Sequence, residues 1–177
     1  MSKLVEEIAY EDRAPGDIGL LAGTGFVSDA IRLAERAGGE LTDPTFEPSH
    51  ALVYTVDYVL EAIFPKVSLS PWNIYDGQSV RIFRIMVAEP LKLAALARTE
   101  HQWLGKSYDL GGVVFGMGLA ELEQAFGQTP RKDDIANAHR VWCSELDCDF
   151  IAKLLPGVPT PDLTSPARLF GYLQALC

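Results

Sequence analysis

An α+β domain, with a central antiparallel sheet packed against helices, is the fold class this chain predicts, and three stretches carry that expectation. From His50 to Ile85, runs of β-branched and aromatic residues alternate with turn signals, which reads as a β-meander. Leu91 to Leu104 is rich in alanine and leucine, as a helix should be. Behind Cys143, the residues Leu146, Phe150, Ile151, Leu154 and Leu155 recur at helical spacing. With 177 residues there is enough chain for one hydrophobic core, so a single domain is expected over 1–177.

In chain order, residues 1–14 read as a short helix or an arm, closed by the turn Pro15-Gly16-Asp17. Ile18 to Leu21 reads as a short buried strand. Gly23-Thr24-Gly25 then leads into a helix from Phe26 to Ala37, ended by Gly38-Gly39. That glycine turn lacks both the P-loop lysine and the dinucleotide spacing, so it reads as a tight strand-to-helix turn rather than a phosphate cradle. Glu40 to Ser49 is a polar, proline-containing loop. Strands are expected over His50–Val56 and Val59–Phe64, with Asp57-Tyr58 as the connection and Pro65 as the stop. Ser70 to Asn73 reads as a loop, Asp76-Gly77 as a turn, and Ser79–Ile85 as a half-buried strand. Pro90 suits the first turn of the Leu91–Leu104 helix and Gly105 its C-terminal cap. Tyr108 to Gly112 is irregular, Val113 to Phe126 reads as a glycine-weakened helix, and Gln128 to Ala138 as a polar connection. Residues 156–177 read as a proline-rich loop followed by a helix from Pro166 to about Leu176.

Composition excludes several classes of function. Hydrophobic residues make up 48% and charged residues 22%, ordinary globular usage. A formal charge of -9 with no Lys/Arg cluster argues against nucleic acid as a partner. No apolar run approaches the roughly 20 residues that span a bilayer, so no stable membrane insertion is expected. The N-terminus has no basic region followed by an apolar one, which makes the cytoplasm the default location. Three cysteines fit a reducing compartment, and without CxxC or HExxH spacing neither a metal nor a cofactor is expected. Oligomeric state is not legible.

The chemistry centres on Cys143. A thiol at a helix N-terminus faces oriented peptide dipoles that favour its thiolate, the attacking form of a group whose ordinary pKa is about 8.5. A nucleophilic cysteine needs a base, and the chain offers His50, His101 and His139. His101 reads as a solvated helix residue and His139 as a loop residue. His50 starts a strand, a rigid position from which an imidazole can project. Glu61 interrupts the apolar run Val59 to Phe64, and a carboxylate there is costly to bury without a partner, which makes it the candidate to orient His50. With Asp57-Tyr58 as the turn, Glu61 would pair with Tyr54, on the same face as His50 but about 13 Å along the strand at roughly 3.3 Å per residue. The backbone N–H of Cys143 is the natural oxyanion donor. Asp147 and Asp149 put extra negative charge in the cysteine helix, where proximity would raise the thiol's pKa.

Four blocks occur in order: Pro48-Ser49-His50-Ala51-Leu52-Val53-Tyr54, Val59-Leu60-Glu61-Ala62, Gly105-Lys106-Ser107-Tyr108-Asp109 and Trp142-Cys143-Ser144-Glu145-Leu146. Together with the opening Pro15-Gly16-Asp17-Ile18 they resemble the circularly permuted NlpC-type (YiiX-like) branch of papain-fold cysteine hydrolases, over roughly Pro15 to Leu155. The resemblance implies a papain-like fold in which the histidine strand precedes the cysteine helix. It also implies catalytic Cys143, His50 and Glu61, and Tyr108 in the oxyanion or substrate cleft. The implied substrate is a peptide or other amide or acyl compound, with a peptidoglycan peptide as the leading candidate. Two rivals stay open: an acyltransferase or lipid or small-amide hydrolase of the lecithin retinol acyltransferase-like type, with Val113 to Met117 as its apolar surface, and a catalytically silent binding module.

Overall fold

The computed structural model describes residues 3–37, 39–40, 43–109, 140–159 and 164–177. The elements are β1 (Val5–Ile8), β2 (Asp17–Leu21), α1 (Phe26–Ala37), β3 (His50–Tyr54), β4 (Tyr58–Ile63), β5 (Lys66–Pro71), β6 (Val80–Ile85), α2 (Glu89–Trp103), β7 (Ser107–Tyr108), β8 (Arg140–Val141), α3 (Cys143–Ala152) and α4 (Pro166–Leu176). Among the described residues the strands form one eight-stranded sheet in the order β1-β6-β2-β3-β4-β5-β7-β8. Every neighbouring pair is antiparallel except β7 and β8. The class is therefore α+β.

The sheet is buried on both faces. On one, Val53, Leu60 and Phe83 pack with Leu146, Phe150, Phe170 and Leu173 of α3 and α4. On the other, Leu52, Tyr54, Val59 and Ile82 are covered by Tyr10, Trp72 and Tyr75. The two sets alternate along β3 and β4, as the period of two in an extended strand requires. The second face is closed by the 72–78 turn segment. Trp72 Nε1 donates to the carbonyls of Thr55 (3.1 Å) and Tyr58 (2.9 Å), and its ring stands edge-on to Tyr54 with centroids 5.4 Å apart.

Helices α1, α2, α3 and α4 lie close to where the hydrophobic spacing puts them. Pro90 sits in the first turn of α2, and Gly105 takes the positive φ of 81° that ends it. Four readings need correction. Residues 5–8, read as helix or arm, form edge strand β1 on β6, because Val5 is fully buried opposite Ile85 while Glu7 faces outward. Residues 66–71, not read as a strand, form β5, paired along its length with β4. The β3–β4 turn is centred on Val56-Asp57 rather than Asp57-Tyr58. Thr55 and Tyr58 close it through Thr55 N–H to Tyr58 O (2.7 Å) and Tyr58 N–H to Thr55 Oγ1 (3.0 Å). The register consequently shifts by two, and Glu61 faces Leu52 instead of Tyr54. Tyr108, read as irregular, pairs in the short strand β7. The expected helix from Val113 to Phe126 and the connection from Gln128 to Ala138 lie outside the described residues.

Gly19 on β2 shows how closely β2 and β3 approach. A Cβ there would lie 2.7 Å from Leu52 Cδ1 and 3.2 Å from Tyr54 Cε2, both side chains being fully buried. Gly19→Ala is expected to destabilise the fold by about 1–3 kcal/mol through overpacking, measured as a lower urea midpoint.

Candidate active site

Helix α3 begins at Cys143, after Trp142 in an extended conformation (φ -106°, ψ 173°). The Glu145 side chain accepts from the Trp142 backbone N–H at 3.4 Å, the reciprocal half of a capping box. The N–H of Cys143, in the first turn, has no intrahelical acceptor. Ser144 Oγ donates to Thr164 O (2.5 Å) and ties the helix start to the segment before α4. Asp149 accepts from Trp103 Nε1 (2.7 Å) and pairs with Lys153.

The helix packs against β3 and β4, which carry the other two expected residues. The two-residue register shift makes His50 and Glu61 diagonal neighbours across the β3–β4 pair, a separation that long side chains bridge. His50 Nε2 and Glu61 Oε2 are 2.8 Å apart. That leaves Nδ1 as the ring nitrogen free to face Cys143, a neighbour whose influence raises the pKa of His50. Cys143, His50 and Glu61 thus fall in one group of neighbours.

No match to the chain was found among protein-family models, curated proteins or solved structures. The site is therefore read from its own geometry.

Burial alone would push His50 toward its neutral form, yet its hydrogen bonds to Cys143 and Glu61 and the charges of both outweigh it and raise its pKa to about 10. The imidazole is thus cationic at neutral pH. Glu61 is fully buried, which works to raise its pKa, but hydrogen bonds from His50, Ser70 and Tyr75 hold it below the usual carboxylate range. Tyr75 is a member that the sequence reading missed. Its hydroxyl donates to Glu61 Oε2 and its ring lies 6.1 Å from that of His50. Tyr108 is nearly buried beside Cys143; burial and the charges of Cys143 and Asp109 keep its hydroxyl protonated, hence able to donate.

Beside His50 is a cavity of about 280 Å³ bordered by Tyr75 and Tyr108, by Val27 and Ser28 of α1, and by Ile63 and Phe64 at the end of the β4 hairpin. The Gly23 turn forms part of its wall and is pinned by Ser49: Gly23 N–H donates to Ser49 Oγ at 3.0 Å, and Arg32 donates to Gly23 O at 2.6 Å. A Cβ on Gly23 would meet Ser28 Oγ at 2.7 Å. His101 is exposed on α2 and lies outside the group, while His139 falls outside the described residues. Among the described residues no group of three His, Cys, Asp or Glu could hold a metal ion. No described helix is long and apolar enough to cross a membrane.

Two of the three acids of α3 part ways. Asp149 is offset by Lys153. Asp147, one turn beyond Cys143, is 0% exposed, and neither of its oxygens has a hydrogen-bond partner among the described residues. Burial, then the proximity of Cys143, raise its pKa well above the usual carboxylate value, so Asp147 carries its proton.

Two outcomes are expected. For an acid whose folded pKa is raised, stability is full below the ordinary Asp value of about 3.9 and declines as pH rises above it. The stability advantage of Asp147→Asn over the native chain should therefore grow from about pH 4 upward, read by chemical denaturation at several pH values. Tyr75→Phe strips a donor from a buried carboxylate and should cost about 1–3 kcal/mol in the same assay.

Proposed function

We propose that the protein is a cysteine hydrolase that cleaves an amide bond through a thioester acyl-enzyme, on a papain-like fold of the permuted NlpC type. The observation that carries this reading is the 2.8 Å His50–Glu61 contact on two adjacent strands, with Cys143 at a helix N-terminus close enough to shift the pKa of His50. The order of histidine strand before cysteine helix supports the permuted arrangement.

In the proposed cycle, the Cys143 sulfur attacks the carbonyl carbon while His50, having taken the thiol proton, holds it for the leaving nitrogen. The tetrahedral oxygen lies between the Cys143 backbone N–H and the Tyr108 hydroxyl. As the C–N bond breaks, the proton passes from His50 to the departing amine. Water then attacks the thioester, giving its proton to His50 and releasing the acid and the thiol. Glu61 keeps the imidazole oriented and its positive charge compensated throughout, and Tyr75 fixes Glu61. The favoured substrate is a peptide amide, with peptidoglycan peptides the first to assay.

Cys143→Ala should abolish hydrolysis in a screen of peptide, muropeptide and acyl substrates. Glu61→Gln, which keeps shape and loses charge, should lower kcat by about 10²–10⁴-fold with little change in KM. Unchanged activity in Cys143→Ala would refute the reading.

A further inference from the structure

The cavity beside His50 has an unusual lining for this chain. Charged residues are 22% of the sequence, so fourteen residues drawn at that frequency would include about three, yet the fourteen described lining residues include no Asp, Glu, Lys or Arg. His50 is the only titratable base among them, and its charge already faces Cys143 and Glu61. The walls are apolar at Leu21, Val27, Ile31 and Ile63, and uncharged polar groups come from residues such as Ser28 and Gln78. Arg32, at the nearby Gly23 turn, is held by Gly23 O and Asp29. Among the described residues an ammonium entering this space would find no carboxylate, and a carboxylate only the imidazolium of His50, which Glu61 already compensates, whereas an alkyl or aromatic group would shed water favourably.

We propose that this cavity selects the substrate: the group flanking the scissile carbonyl is uncharged and mainly apolar, and carboxylate- or ammonium-bearing equivalents are rejected. This rests on the cysteine hydrolase reading and narrows its peptide or acyl substrates to those with an apolar residue or acyl chain next to the cleaved bond. The most acidic stem peptides become the poorest candidates.

The test uses alkylation, which reports on the cavity without turnover. In each reaction the thiolate sulfur bonds to the reagent's methylene carbon and iodide leaves with the electron pair. Iodoacetate, iodoacetamide and N-hexyl iodoacetamide are applied separately to the full chain near neutral pH, and labelling of each cysteine is followed by peptide mass spectrometry. Cys177 is exposed and serves as the internal reference, while Cys143 and Cys148 are both buried, so that reagents reach Cys143 by way of the cavity beside His50. The rate ratio of N-hexyl iodoacetamide to iodoacetate is expected to be at least about tenfold larger at Cys143 than at Cys177. Phe64→Lys, an exposed position on the cavity edge where a folded variant is expected, should shrink that ratio at Cys143 alone. Equal ratios at the two cysteines, with Cys143 the faster site, would overturn the selectivity and leave the nucleophile standing. A Cys143 slower than Cys177 toward all three reagents would overturn both.

Discussion

The contact between His50 and Glu61 sets the terms for the rest of the molecule. A fully buried carboxylate is tolerable only with donors around it, and the donors come from three places: His50 on the neighbouring strand, Ser70 on β5, and Tyr75 on the 72–78 segment. Each constrains the backbone that carries it. The β3–β4 register must put Glu61 diagonal to His50, β5 must continue the meander beyond β4, and the turn segment must fold back over the second face of the sheet. A one-residue slip would turn Glu61 to the opposite face, against the apolar core of Val53 and Phe150, where those donors are out of reach.

Charge around the thiol is managed by contrast. Glu61 and Asp147 are both completely buried, but Glu61 has His50 and Tyr75 on its Oε2 and a lowered pKa, while Asp147 has no hydrogen-bond partner among the described residues and a raised one. His50 therefore faces a single compensating carboxylate. An ionised Asp147 would have put a second negative charge one helical turn from Cys143.

The fold was legible wherever local pattern sufficed. Helices α1, α2, α3 and α4 announce themselves by apolar spacing and by Pro90 and Gly105, and β2, β3, β4 and β6 by dense β-branched runs. What stayed hidden depends on distant partners. Val5 and Ile8 are separated by two glutamates and gain their strand only from β6, nearly eighty residues on. In β5, Val67 and Leu69 are too few to advertise a strand that β4 completes. The hairpin register was misread because Thr55, which looks like a strand residue, uses its hydroxyl to close the turn. The candidate site shows the same division. His50, Glu61 and Cys143 could each be picked out by residue type and setting, whereas Tyr75 sits in a turn-like stretch where nothing but tertiary contact links it to Glu61.

Helix α4 has a consequence for how the chain reaches this state. It packs against β1, its Ala167 N–H binds Glu35 of α1, Ser165 holds Glu40, and Thr164 receives Ser144 from the helix that bears Cys143. Elements made early in synthesis thus wait on one made more than a hundred residues later. Hairpins such as β3–β4 can form while the chain is still being extended, since their contacts are local. Seating of the helix that begins at Cys143 is a late event, so a nascent chain would hold His50 and Glu61 on adjacent strands before Cys143 is brought to them.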